Sequence, residues 1–177
     1  MSVWAPEDAV KASEFMVKQW QSLTTDQIYV KRSEGDAIAL FEDVSLYDTS
    51  PGLDTYKRIF GDFTEFKRNI ALSAVDANTG DKITFTDKEI NFSDLPIAVL
   101  GSASVPVAFP PTAFKGHLLI DGMTAYNTDV QATIDRCKEL VGRDESLITV
   151  DILQISAPNT VDEWDKPAKT AYSNYNR

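Results

Sequence analysis

The sequence predicts a mixed α/β domain, and three observations carry that prediction. Two alternating runs around a Gly-containing loop at 70–86 read as a β-hairpin. A short continuous apolar run, Leu118, Leu119 and Ile120, reads as a buried strand closing on Asp121 and Gly122. Apolar stripes at three- and four-residue steps over 6–20 and 129–140 read as amphipathic helices. Strands and helices interleave along the 177 residues with no repeat, low-complexity block or linker, as expected of roughly one α/β domain.

The elements follow in chain order. Over 6–20, Pro6 suits a first helical turn, and Glu7 and Asp8 suit the positive end of the helix dipole. Ala9, Ala12, Met16 and Trp20 fall on one face, widened by Val10 and Val17, and are expected to face the core. Residues 21–36 are polar and broken by Gly35, and 37–41 (AIALF) form a short apolar stretch that fits either element type. At 47–52, Ser50 is a candidate cap with Pro51 at the first helical position, so a short helix should run to Phe60 and stop at Gly61. In the hairpin, Ile70, Leu72 and Ala74 alternate with Ala71, Ser73 and Val75, and Ile83 and Phe85 line the return. A helix is expected from Asp94, with Pro96 in its first turn. Pro106, Pro110 and Pro111 then make 105–111 a rigid loop. The helix over 129–140 places Val130, Ile134, Cys137 and Val141 on one stripe and stops at Gly142. Residues 148–155 (ITVDILQI) read as a last strand, and the polar chain beyond 160 reads as a loose tail.

Composition narrows the function classes. A net charge of -10 argues against nucleic-acid binding, since neutralising phosphates needs a basic face. A single cysteine, Cys137, and a single histidine, His117, exclude an intrachain disulfide and any metal site built on several of either. The carboxylates Glu7, Asp8, Asp62, Glu65, Asp144 and Glu145 are scattered without the spacing of a calcium loop, so neither metal nor cofactor is expected. No apolar run approaches the roughly 18 residues of a membrane helix, and 1–8 lacks the basic start and apolar stretch of a signal peptide. A cytoplasmic or membrane-peripheral location is the expectation.

Three blocks, taken together in order and spacing, resemble the patatin-like phospholipase family. They are LYDTSPGL at 46–53, AVDANTGD at 74–81 followed by Ile83, Thr84 and Phe85, and GSASVP at 101–106. The last continues through Phe109, Pro110 and Pro111 to Leu119, Ile120, Asp121, Gly122 and Asn127. The resemblance extends from about Val3 to Ile155.

What the resemblance implies is a lipid acyl hydrolase working through a Ser–Asp dyad on a three-layer α/β/α domain. In that family an aspartate in an Asp-Gly-Gly or Asp-Gly-Ala motif activates a serine held in a Gly-x-Ser-x-Gly elbow, and a Gly-rich loop forms the oxyanion hole. Asp121 and Gly122 match the first two positions of the dyad motif, which makes Asp121 the implied general base. Met123 departs from the small third residue. No Gly-x-Ser-x-Gly string occurs. The nearest, Gly101-Ser102-Ala103-Ser104-Val105, ends in Val and runs into prolines that forbid the helix an elbow needs. Ser102 and Ser104 therefore read as loop or cap residues. By this resemblance residues 1–160 correspond to the C-terminal portion of the domain, without its first strands, elbow and oxyanion loop, and 161–177 to a polar tail. The implied substrate is a carboxylic ester of membrane or storage lipid, turned over only with the missing part. A non-catalytic protein binding lipid or a partner around Phe109, Phe114 and Met123 is the alternative.

Three further expectations follow. A sheet without its first strands exposes an edge and an apolar face, so self-association or a covering partner chain is expected. His117, four residues before Asp121, reads as a strand-edge histidine rather than a triad member. Lys57, Arg58, Lys67 and Arg68 lie near Phe60, Phe63 and Phe66, and read as a solvated helix end or, failing that, as an interfacial patch.

Overall fold

The computed structural model describes residues 2–32, 43–125, 128–142 and 144–153. The apolar stretch at 37–41, Gly35, Asn127 and the 161–177 tail lie outside the described residues.

Four helices and six strands are present among the described residues. A turn at Pro6–Asp8 leads into α1 (Ala9–Ser22). The short strands β1 (Val30–Lys31) and β2 (Tyr47–Asp48) pair antiparallel and feed α2 (Ser50–Phe60). Then come β3 (Ala71–Asp76), β4 (Lys82–Thr86), α3 (Leu95–Ser102), β5 (Thr112–Phe114), β6 (His117–Asp121) and α4 (Val130–Val141).

The main sheet has the order β4-β3-β6-β5, and every pairing in it is antiparallel. Two of its ladders are tight hairpins. The β3–β4 turn uses Gly80 at φ +78°. The β5–β6 turn is Lys115-Gly116, with φ +47° and +84°, the doubly positive arrangement of a type I′ turn. The sequence resemblance implied layers around a sheet missing strands; the described sheet is a four-stranded antiparallel one.

Two helices clamp it. Side chains alternate between sheet faces, and Leu119 pairs with Asp76 while Ser73 lies three residues away, so Leu119 and Ser73 project to opposite faces. On the Leu119 face lies α3, and an added Cβ at Gly101 would stand 2.7 Å from Leu119 Cδ1, so a side chain there would have to displace Leu119. Ala74, Phe85, Ile90, Ala98 and Leu119 form the core here, with Leu119 and Ala98 fully buried. On the Ser73 face, the start of α4 is tied to β3 and β4 by Asp129.

The remainder wraps around α2. The Thr55 hydroxyl donates to the Gln27 carbonyl at 2.8 Å, and Gly52 abuts the Ile28 carbonyl so closely that a Cβ would reach 2.7 Å. Trp4, Phe15 and Phe63 stack with centroids 5.7 to 5.8 Å apart. Arg68 holds this corner by donating to the Trp4 and Ala5 carbonyls at 3.0 and 3.2 Å.

Several expectations need correction. On α1 only Ala12 is buried; Val10, Val17 and Trp20 point to solvent, because the inward face runs through Ala12, Phe15, Met16 and Gln19 instead. The start of α2 is capped by the Asp48 carboxylate, which accepts from the Ser50 amide and hydroxyl, rather than by Ser50. Residues 148–153 form no strand: they pair with nothing in either sheet, and Leu153 is 89% exposed. The hairpin, the helix ending at Gly61 and the Gly142 stop at φ +68° all stand as read. No helix among the described residues is long and apolar enough to cross a membrane.

Leu119 is the position to test. Its truncation to alanine should lower the unfolding free energy by about 2–5 kcal/mol, because it removes a fully buried side chain and leaves a cavity between α3 and the sheet. Leu153→Ala should change it by less than about 0.5 kcal/mol. Urea titrations followed by circular dichroism measure both.

Candidate functional site

Asp121 is the last residue of β6, opposite Ala74 of β3, and its amide donates to the Ser104 carbonyl at 2.9 Å. The chain then turns sharply. The Asp121 Oδ1 accepts the Met123 amide at 2.8 Å, and the Thr124 hydroxyl donates to the Asp121 carbonyl at 2.7 Å. Gly122 sits at the pivot. It is buried, and a Cβ there would fall 2.6 Å from the Ser73 carbonyl oxygen, so the approach of the turn to β3 requires glycine at 122. Met123, which replaces a small residue of the motif, tolerates its place because it is 56% exposed with an ordinary backbone.

Asp121 borders a mostly polar groove of about 330 Å³. Ser73, Ser102, Thr128, Asp129 and Thr133 share its walls. The second Asp121 oxygen takes no hydrogen bond from the described residues.

Sequence reasoning missed the second carboxylate. Asp129 caps α4 by accepting the Ala132 amide at 3.1 Å, accepts the Ser73 hydroxyl, and pairs with Lys82 Nζ at 2.6 Å. Burial pushes its carboxyl up, but the hydrogen bonds from Lys82, Ser73 and Ala132 outweigh that and hold it below the usual carboxylate range. The available signal was its position just ahead of a helical stripe, where a cap is expected.

The serines of the 101–106 segment are committed elsewhere. Ser102 ends α3 and donates to the Ser73 carbonyl at 2.7 Å. Ser104 is buried, donates to the Leu100 carbonyl at 2.9 Å and meets the Thr112 hydroxyl at 3.0 Å. Both therefore serve as cap and loop ties, as read from the sequence.

His117 stands at the start of β6, four residues from Asp121. Its Nδ1 is 2.9 Å from Asp76 Oδ2. The Asn78 amide and then His117 hold the Asp76 carboxyl below its ordinary value. Phe109, Phe114 and Met123 do not share a cleft. Phe109 stacks with Tyr29 and Tyr47, Phe114 with Phe85, and Met123 alone borders the Asp121 groove. Of the basic residues near Phe60, Phe63 and Phe66, Lys57 pairs with Asp54, Lys67 with Glu65, and Arg68 donates to backbone carbonyls. Among the described residues no group of His, Cys, Asp or Glu is arranged to hold a metal.

The depressed carboxyls of Asp76, Asp87 and Asp129 set a pH dependence. Each stabilises the fold fully above its unfolded pKa of about 4, and that contribution fades as pH falls through the lower folded value. Urea midpoints should hold between pH 7 and 5 and drop steeply below about pH 4. At pH 7, Asp129→Ala should cost about 2–4 kcal/mol, the sum of a lost cap and an unpaired Lys82.

A family model described as patatin-like phospholipase matches residues 5–134, about three quarters of the chain. No curated protein matches.

Proposed function

The chain belongs to the patatin-like phospholipase family, and on that premise we propose that Asp121 is the base of a Ser–Asp dyad that cleaves carboxylic esters of lipids. The observation that carries the reading is the Asp121 carboxylate itself. It sits at the end of a core strand beside a groove, with one oxygen fixed by the Met123 amide and the other uncommitted among the described residues. A carboxylate so fixed is placed to take a proton from a serine hydroxyl as that oxygen attacks the ester carbonyl. The proton then passes to the departing alcohol, leaving an acyl-serine, which water hydrolyses with the same carboxylate as base.

The serine is not encoded in these 177 residues in its family motif, and Ser102 and Ser104 are tied to backbone carbonyls. We therefore read the chain as the dyad-aspartate portion of a three-layer α/β/α domain. The elbow and the oxyanion loop come from polypeptide beyond this sequence, and the chain alone is inactive. Such polypeptide would add strands at the β4 or β5 edge of the sheet, which are unpaired among the described strands. The same commitments of Ser102 and Ser104 favour the second reading, a patatin fold retained for binding lipid or a partner without chemistry.

The pure chain should show no turnover of p-nitrophenyl esters and no fluorophosphonate labelling. Turnover lost in Asp121→Asn would sink the claim of inactivity. Joined to an in-frame upstream segment carrying Gly-x-Ser-x-Gly, the protein should hydrolyse a phospholipid. Asp121→Asn should then lower kcat by about 10³-fold or more while Asp144→Asn leaves it unchanged. Failure of the joined protein to turn over would favour the non-catalytic reading.

A further inference from the structure

The outward face of α1 is the surface that the site does not use. Val10, Val17 and Trp20 are 71%, 55% and 77% exposed there, and positions 10, 17 and 20 lie on one side of a 3.6-residue helix. Three large apolar side chains standing together on the outward face of one helix are not accounted for by chance exposure of a single residue. Trp20 also rims an apolar groove of about 590 Å³ whose walls include Phe15, Met16, Leu23, Ile28 and Tyr56. The Gln19 side-chain oxygen, on the inward side of that groove, is buried and has no hydrogen-bond partner among the described residues.

The charges beside the stripe say what covers it. Glu14 and Lys18 are exposed, lie on the same flank of the stripe, and form no ion pair among the described residues. We propose that α1 docks antiparallel against α1 of a second copy of this chain across a two-fold axis. A two-fold perpendicular to both helices keeps each flank facing the same flank of its partner. With the crossing centred at position 16, Glu14 of one copy meets Lys18 of the other, and the reciprocal pair forms at the same time. Val17 packs at the centre of the contact. In this register Trp20 of each copy lies across from position 12 of the other, at the rim of the contact. This surface is separate from the sheet edges and from Asp121, so the proposal does not depend on the dyad reading.

Sedimentation equilibrium from about 1 to about 200 µM, at low salt, tests it. A monomer–dimer equilibrium is expected, with a blue shift of tryptophan emission on dimerisation. Val17→Glu, at an exposed site where folding is not at stake, should weaken the dimer by about tenfold or more. Glu14→Lys alone should also weaken it, by placing like charges opposite one another, and the double variant Glu14→Lys, Lys18→Glu should restore it. A monomer over the whole range would overturn the proposal. A dimer indifferent to Val17→Glu, or one that the charge swap fails to rescue, would overturn this geometry. Transfer of Trp20 into phosphatidylcholine vesicles by a chain that stays monomeric would assign the face to a lipid surface instead.

Discussion

The arrangement of the site depends on one partly buried carboxylate. Asp129 holds the first turn of α4 through the Ala132 amide, β3 through the Ser73 hydroxyl and β4 through Lys82. Each bond compensates for solvent the group has lost, so a charge that would be costly alone becomes a joint between three elements. The Ser73 face of the sheet has no equivalent of the Leu119 core to fix a helix by apolar packing. Its helix is fixed by charge and direction instead, and this puts the α4 N-terminus along one wall of the Asp121 groove.

Ser73 is where the two clamps meet. Its hydroxyl goes to Asp129, its carbonyl accepts the Ser102 hydroxyl from the end of α3, and the same carbonyl leaves no room for a side chain at Gly122. The end of α3, the turn after β6 and the start of α4 are therefore all referenced to one residue of β3. A shift of that residue moves every wall of the groove together. This is how a domain with a modest core can hold one carboxylate in a defined place.

What the sequence revealed of this was uneven, for physical reasons. The β3–β4 hairpin was legible because period-two alternation and a glycine turn are local. The β5–β6 hairpin was not: its turn is Lys115-Gly116, without the Asn or Asp that advertises a positive φ at the first position, and Pro110 and Pro111 masked the strand that follows. The apolar stripe of α1 was legible as helical but not as to direction, since periodicity does not say which of two neighbouring faces meets the core; Phe15 decided it by joining Trp4 and Phe63. Residues 148–153 have the composition of a strand but find no partner in either sheet, and β-propensity alone forms nothing. Asp121 was reachable only through a family pattern. Asp129 was legible at most as a helix cap, because its weight comes from Ser73 and Lys82, 56 and 47 positions away in the chain.

The hydrogen-bond ledger of the Asp121 turn constrains any chemistry proposed there. The Met123 amide is spent on the Asp121 carboxylate, the Ala125 amide on the Gly122 carbonyl, and the Thr124 hydroxyl on the Asp121 carbonyl. A tetrahedral oxyanion needs donors that are free and already aimed, and these three are neither. Through these three groups the turn orients a base rather than stabilising the charge that the base helps create. Under the dyad reading these three donors contribute nothing to an oxyanion hole, which favours a nucleophile that brings its own donors to the groove. That coupling is chemically sensible: a serine delivered without its donors would meet a base but gain little rate, whereas the two together complete the site in one docking step.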